Sequence, residues 1–168
     1  MDCATSLIQN VKWVPMSENI IEFKNYSVEY KTERSVVKAL NKLNLNIAKG
    51  ESLGLVGETG AGKTTAAISM LRLLPNNARI TRGDIFYEGH SIAGMTEKEI
   101  RDKRGDKIAM IFQNPLTSLN PLFTVGEQIS VLFRVHRGMS KKEAMAEAAR
   151  LLELVGIAGY RIKDYPGQ

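Results

Sequence analysis

The sequence contains few of the residues that form disulfide frameworks or thiol and imidazole active sites. It has one cysteine, Cys3, and two histidines, His90 and His136. A single cysteine cannot form a disulfide within the chain. We expect Cys3 to lie in a loosely ordered tail, which does not support a nucleophilic role. His90 follows a predicted turn and His136 lies near the end of a predicted helix, so both are interpreted as surface residues. The composition therefore disfavours cysteine- and histidine-based catalysis.

Long apolar runs are also missing. No stretch approaches the roughly 18 consecutive apolar residues that a membrane-spanning helix needs. Residues 1–13 lack the basic cluster and the long apolar core of a secretion signal. Residues 1–18 show no sustained periodicity and are predicted to form an extension outside the ordered domain. We therefore expect a cytoplasmic protein whose ordered domain begins near Asn19.

The basic residues do not form a nucleic-acid-binding pattern. The net charge is +5, but lysines and arginines alternate with acids, as in residues 97–104. Such dispersion is typical of a solvated helix face. No aromatic residues interleave the basic ones to stack on bases. We therefore expect no nucleic-acid partner, whereas phosphate ligands would benefit from the mild positive excess.

The most informative stretch is a glycine-rich loop that fits the pattern glycine, any four residues, glycine, lysine, serine or threonine. It consists of Gly57, Glu58, Thr59, Gly60, Ala61, Gly62, Lys63, Thr64 and Thr65. Glycines can adopt backbone conformations that other residues avoid, so that successive amides converge on one anion. Lys63 adds a mobile positive charge for the outer phosphates, and the Thr64 hydroxyl suits a magnesium ion. The alternative is a glycine-rich turn that binds nothing.

The surroundings of the loop favour phosphate binding. Residues 52–56 form a short, nearly continuous apolar run, typical of a parallel strand buried on both faces. From Thr65 to Leu74, apolar residues recur at helical spacing until Pro75. A strand, a glycine loop and a helix in this order are the setting that a phosphate-binding loop requires.

An antiparallel sheet is predicted before the loop, and further strands after it. Residues 20–30, with a bend at an asparagine, and residues 36–40 and 43–47 are rich in β-forming residues. After a polar loop at residues 76–82, residues 83–89 are predicted to form a strand. Residues 108–112 are all apolar, which indicates a second buried parallel strand.

Three helices are marked by capping boxes, in which a serine or threonine is followed three residues later by glutamate. The pairs are Thr96 with Glu99, Thr124 with Glu127, and Ser140 with Glu143. Gly156 stands where a glycine ends the last helix.

Gln113 follows the predicted strand at residues 108–112, at the edge where open α/β sheets place ligand-contacting groups. A neutral amide can orient an attacking water and offer its oxygen to a metal, which suits nucleotide hydrolysis. A solvent-facing glutamine in a turn is the alternative.

These motifs give the chain a clear family resemblance. The segments 107–121 and 123–129, which flank and follow Gln113, resemble the glutamine-loop region of ABC transporter ATP-binding subunits. Within that family the chain is most similar to the oligopeptide, dipeptide and nickel importer branch, from about Ile20 to Gln168. The resemblance implies an α/β fold: a phosphate-loop NTPase (RecA-like) core with an antiparallel β subdomain, followed by the beginning of a helical subdomain. The expected domains are an extension at 1–18, the nucleotide-binding core at 19–112, and the glutamine loop with a partial helical subdomain at 113–168.

The resemblance also implies ligands and roles. Residues 57–65 would be the Walker A loop for ATP, Thr64 and Gln113 would contact Mg2+, and Gln113 would sense the γ-phosphate. Tyr30 would stack on adenine, although a core or edge tyrosine is the alternative. The implied partners are membrane-spanning permease subunits, a second ATP-binding subunit in a head-to-tail dimer, and indirectly an extracytoplasmic solute-binding protein. The implied location is the cytoplasmic face of the membrane.

The sequence also departs from the family pattern. Gly167 stands where the family has a histidine, and the signature motif, the Walker B strand with its catalytic glutamate and the switch histidine do not occur. We therefore expect a fragment that binds Mg-ATP weakly, hydrolyses it near background, and leaves residues 53–56 and 108–112 without neighbouring strands. A non-hydrolysing or vestigial nucleotide-binding module is the alternative. A phosphate-loop kinase or GTPase is less favoured, since the Asn-Lys-x-Asp guanine motif is absent.

Overall fold

The computed structural model describes residues 19–168, which divide into two compact units. One unit extends to Arg101 and the other runs from Asp102 to Gln168. Each unit is described separately. Cys3 and the predicted extension at residues 1–18 lie outside the described residues.

The first unit is built on a four-stranded antiparallel sheet. Its strands are β1 (Asn19–Lys31), β2 (Val36–Ala48), β3 (Ala78–Tyr87) and β4 (His90–Ser91), in the order β2-β1-β3-β4. Two helices accompany the sheet, α1 (Lys63–Met70) and α2 (Glu97–Lys103). The predicted antiparallel sheet is therefore confirmed.

Irregularities in the strands mark the predicted bend. Asn25 has a φ of +49°, and the pairing of β1 with β2 shifts register between Phe23 and Tyr26. Lys42, with a φ of +51°, lies within β2 where the sequence predicted a break between two strands. A bulge absorbs an extra residue without ending the ladder, so residues 36–40 and 43–47 form one strand rather than two.

Two other boundaries differ from the prediction. Residues 78–82, predicted as loop, belong to β3, because they pair with Ser27–Tyr30 of β1. Helix α1 covers Lys63–Met70 rather than Thr65–Leu74. Arg72 ends it, since its φ of +50° is incompatible with a helix and its guanidinium donates to the Met95 carbonyl oxygen at 2.7 Å.

The core of this unit draws its largest buried side chains from β1, β3, α2 and the residue after β4. Its fully buried side chains are Phe23, Val28, Ile85, Ile92 and Ile100. The capping box of α2 is formed as predicted, with the Thr96 amide donating to the Glu99 carboxylate at 2.7 Å and the Glu99 amide donating to the Thr96 hydroxyl at 3.3 Å.

The prediction of two buried parallel strands is wrong. Residues 52–56 and 109–112 are not strands, and Ile108 makes only an isolated bridge to Arg104. Val56 is 84% exposed and Ile111 is 90% exposed. Among residues 19–168 neither segment finds a partner strand, and extended chain without ladder hydrogen bonds does not make a sheet.

The second unit is helical. It contains α3 (Val125–Arg137) and α4 (Lys141–Leu154), with short 3-10 helices at Pro115–Ser118 and Gly159–Lys163. Both predicted capping boxes are formed, and Gly156 has a φ of +80° just beyond α4. Helices α3 and α4 pack together, and their buried residues are Gly126, Ser130, Phe133, Ala144, Ala148 and Leu152. Within residues 19–168, no helix has the length and apolar character needed to cross a bilayer.

Candidate phosphate-binding site

The glycine-rich loop leads directly into helix α1. Gly60 and Gly62 have φ values of +87° and +85°, which confirms the expected glycine conformations at these two positions. The Ala61 amide donates to the Glu58 carbonyl oxygen at 3.1 Å, so that residues 58–61 form a turn. All of residues 51–60 are exposed. The loop is therefore accessible to a ligand.

Gly62 is also the point where α1 approaches the sheet. A Cβ atom built on Gly62 would collide with the Ala39 carbonyl oxygen and lie 2.8 Å from Leu40 Cδ2. Both contacts are to β2, and the first is to backbone that cannot rotate away. The close approach and the positive φ each require glycine here.

The amino end of α1 is suited to an anion. Gly62 occupies the N-cap position and has no side chain to accept from the first-turn amides. The first turn of α1 contains no acidic residue that would compete with a bound anion. The amides of Lys63, Thr64 and Thr65 have no carbonyl partner within the helix, because Ala66 is the first residue whose amide donates to a carbonyl oxygen one turn earlier. The helix dipole adds positive potential at these amides.

Lys63 supplies the positive charge. Its Nζ atom donates to the carbonyl oxygens of Gly57 and Glu58, at 2.6 and 2.7 Å. The ammonium group thus lies on the loop itself. These two carbonyl oxygens make the kind of contact that phosphate oxygens would make with it.

Thr64 and Thr65 differ in their surroundings. Thr64 is exposed in the first turn, whereas Thr65 is buried. Magnesium in nucleotide sites takes only one or two protein ligands, with phosphate oxygens and waters completing its shell. One exposed hydroxyl beside a lysine therefore fits such an ion. Residues 19–168 contain no cluster of three or more His, Cys, Asp or Glu that could hold a metal ion.

Tyr30 contacts the loop helix through its hydroxyl group. Its Oη atom lies 3.2 Å from Thr65 Oγ1, across a separation of 35 residues in the sequence. The family resemblance implied an adenine-stacking ring at this position, with a core or edge tyrosine as the alternative, and the contact with Thr65 was not foreseen. The alternation of strand residues puts Tyr26, Val28 and Tyr30 on one face of β1, but it does not show that α1 packs against this face.

A second tyrosine of β1 reaches the same helix. The Tyr26 hydroxyl is bonded to the Ser69 side chain, and Ser69 Oγ donates to the Thr65 carbonyl oxygen at 2.6 Å. Burial raises the pKa of the Tyr26 phenol. Two tyrosines therefore anchor α1 to the sheet.

Gln113 belongs to the other unit. It is exposed and precedes the 3-10 helix at Pro115–Ser118. The strand that was predicted to carry it does not form, as described above. Its contact with a metal or a γ-phosphate stays a prediction.

The cavity found at the start of β1 does not coincide with the loop. It has a volume of about 420 Å³, and none of the predicted site residues lines it. Its Glu22 carboxylate accepts from Lys24 at 2.8 Å and from Asn19 at 3.1 Å, and these contacts lower the pKa of Glu22. Because this carboxylate is held by its neighbours, we assign no site to the cavity.

Comparison with known proteins adds relatives of the whole chain. It is 40% identical over 164 residues to the oligopeptide transport ATP-binding protein OppD of Salmonella typhimurium, covering 96% of this chain and 49% of that protein. It is 39% identical over 155 residues to the probable peptide ABC transporter ATP-binding protein y4tR of Sinorhizobium fredii, covering 90% and 46%. The chain thus spans about half the length of these curated relatives.

Solved structures include ATP-binding cassettes with a fold similar to that of this chain. The chain is similar, with a TM-score of 0.74 and 27% identity, to the dimeric post-hydrolysis state of the ATP-binding cassette MJ0796 bound to ADP and Pi. The match covers 88% of this chain and 62% of that one. The α/β nucleotide-binding fold is therefore confirmed. The family model described as ABC transporter matches residues 40–168, which is most of the sequence. The chain belongs to the ABC transporter family.

Proposed function

We propose that this chain is the nucleotide-binding part of an ATP-binding subunit that energises an ABC-type importer of peptides. The observation that carries the proposal is the Lys63 ammonium group held on an exposed glycine loop at an uncapped helix terminus. Membership of the family makes ATP the expected ligand of such a loop. The choice of peptides over nickel rests on the names of the similar proteins, which are oligopeptide, dipeptide and peptide transport proteins.

The loop residues bind the phosphates in this proposal. The amides of Gly60 and of Gly62 to Thr65 donate to phosphate oxygens, since the positive φ values of Gly60 and Gly62 turn the backbone at these points. Lys63 exchanges the carbonyl oxygens of Gly57 and Glu58 for oxygens of the outer phosphates. The exchange is favourable because a phosphate oxygen carries negative charge, which a carbonyl oxygen lacks.

Thr64 would be a ligand of a magnesium ion that arrives with the nucleotide, and the contact of Gln113 with that ion stays a prediction. Such an ion would neutralise charge on the outer phosphates. Thr64 offers an exposed hydroxyl in the first turn of α1, and Gln113 offers an exposed amide oxygen. Tyr30 stacks its ring on adenine, and its partial exposure supports this role.

The proposed partners follow from the family. They are a second ATP-binding subunit in a head-to-tail dimer, membrane-spanning permease subunits, and indirectly a solute-binding protein outside the membrane. The similar MJ0796 cassette was solved as a dimer. Such partners would hold the protein at the cytoplasmic face of the membrane.

Calorimetric titration with Mg-ATP tests the proposal. Wild-type protein is expected to release heat with saturable binding, and Lys63→Ala is expected to weaken binding about tenfold or more, because a charge-assisted contact is lost. Lys142→Ala removes the same charge from an exposed position on α4 and serves as the control. Equal affinities for Lys63→Ala and Lys142→Ala would refute the assignment of the loop.

A further inference from the structure

We propose that Tyr30 also acts on the phosphate side of the nucleotide site, by donating its phenolic hydrogen to Thr65 and so orienting the Thr65 hydroxyl. This inference rests on the proposed function, since it concerns the same site. It makes Tyr30 a positioning residue for the phosphates, in addition to a stacking platform for the base.

The geometry brings the two hydroxyl groups together. Tyr30 Oη and Thr65 Oγ1 are 3.2 Å apart, within hydrogen-bond distance. Thr65 is buried and Tyr30 is half-buried, so water competes little for this contact. Thr65 follows Thr64 in the first turn of α1, where the phosphates are proposed to bind.

The relative acidities of the Tyr30 and Thr65 hydroxyl groups determine which one donates the hydrogen bond. A phenol is more acidic than an aliphatic alcohol and is the stronger donor of the two. When Tyr30 donates, the oxygen of Thr65 accepts and its own hydrogen is directed elsewhere. A phosphate oxygen, which only accepts, is the complementary partner for that hydrogen. Without the Tyr30 hydroxyl, the Thr65 hydroxyl would lose this constraint on its rotation.

The backbone of Thr65 is held by a contact that does not involve Tyr30. Its carbonyl oxygen accepts from Ser69 Oγ at 2.6 Å, and the Ser69 side chain is bonded to the Tyr26 hydroxyl. Tyr26 and Tyr30 lie on the same face of β1 and both contact α1. Tyr26 reaches the helix at Ser69, whereas Tyr30 reaches it at the residue beside the loop. Tyr26→Phe is therefore a matched control for Tyr30→Phe, because it also removes a phenolic hydroxyl that contacts α1.

As a consequence, the Tyr30 side chain contacts the base directly and acts on a phosphate through Thr65. The ring of Tyr30 faces the base in the proposed function, and its hydroxyl sets the donor for a phosphate. A base that fixes the ring also fixes the Thr65 hydroxyl. Base and phosphate recognition are then coupled through Tyr30.

The test is a double-mutant cycle on Mg-ATP affinity, measured by calorimetry on the full chain. Tyr30→Phe keeps the ring and removes the hydroxyl, and Thr65→Val keeps the shape of the side chain and removes its hydroxyl. We expect Tyr30→Phe to weaken binding by about 2- to 10-fold in wild-type protein, and to have no further effect when Thr65 is valine. Thr65→Ser retains a hydroxyl, so in that background Tyr30→Phe should weaken binding as it does in wild type.

Several outcomes would overturn the proposal. It is wrong if Tyr30→Phe leaves the affinity unchanged, or if its effect is the same in the Thr65→Val background as in wild type. Tyr26→Phe should lower the melting temperature without changing the affinity, and an equal loss of affinity would mean that both phenols only hold the helix in place. Lys63→Ala distinguishes a failure of this inference from a failure of the proposed function. Unchanged Mg-ATP binding in Lys63→Ala would refute the proposed function itself.

Discussion

Gly62 begins helix α1 so close to Ala39 of β2 that a methyl group on its Cα would collide with the Ala39 carbonyl oxygen. The contact joins the phosphate-binding loop to the antiparallel sheet through backbone atoms. Because neither partner can move aside by changing a rotamer, the start of the helix is fixed relative to the sheet. The loop geometry thus depends on a residue outside the glycine-rich motif.

Gly62→Ala should therefore be strongly destabilising. The positive φ costs an alanine about 1–2 kcal/mol, and the collision adds about 1–3 kcal/mol. Urea unfolding measures the change. Gly50→Ala is the matched control, because Gly50 has a φ of +78° but nothing within 4 Å of the built Cβ atom. Equal losses of stability in the two variants would show that the contact with Ala39 contributes nothing.

The capping boxes of α3 and α4 predict a pH dependence. The Thr124 backbone and side chain hold the pKa of Glu127 below its ordinary value, and Ser140 does the same for Glu143. A carboxyl group whose pKa is lowered on folding stabilises the protein above its unfolded pKa, and that contribution is lost as the pH falls through the folded pKa. Acid should therefore weaken both helix starts.

Carbon NMR titration of the glutamate carboxyl groups checks this expectation. Thr124→Ala should raise the pKa of Glu127 toward its ordinary value, because the hydroxyl that donates to the carboxylate is removed. Glu143 provides an internal control, as its cap lies on a different helix. A Glu127 titration that is unchanged by Thr124→Ala would contradict the role of the capping box.

Ser69→Ala should lower the free energy of unfolding by about 1–3 kcal/mol, since the substitution removes the partner of a buried phenol. Ser69 also donates to the Thr65 carbonyl oxygen, so α1 loses a contact at its loop end. Urea unfolding measures the change, and an unchanged free energy of unfolding would contradict this assignment.

Hydrogen exchange distinguishes the paired strands from the unpaired apolar segments. Amides of residues 52–56 and 109–112 should exchange much faster than those in the central part of β1, because they have no ladder hydrogen bonds to protect them. Strong protection of residues 53–56 in the isolated monomeric chain would contradict the unpaired state of that segment.

The sequence predicted features that depend on local chemistry. The capping boxes of α2, α3 and α4 and the bend at Asn25 follow from a few adjacent residues, and the structure confirms them. The helix after the loop was placed correctly in kind, although not in its bounds.

Features that depend on distant partners were less accessible. The apolar pattern of residues 52–56 and 108–112 fits a buried strand, but a pattern cannot supply neighbouring strands. The contacts of Tyr30 with Thr65 and of Gly62 with Ala39 join β1 and β2 to α1, and no local signal gives such distances. The positions of the loop residues in the sequence were therefore predictable, whereas the anchoring of the loop was not.

The most direct test of the central claim is an amide NMR titration with Mg-ATP. If phosphates bind at the amino end of α1, the amide signals of Gly60 to Thr65 should show large shifts, and these shifts should disappear in Lys63→Ala while Lys142→Ala retains them. Shifts confined to the cavity around Asn19, Lys49 and Glu88, or loop signals unchanged at saturating nucleotide, would contradict the claim.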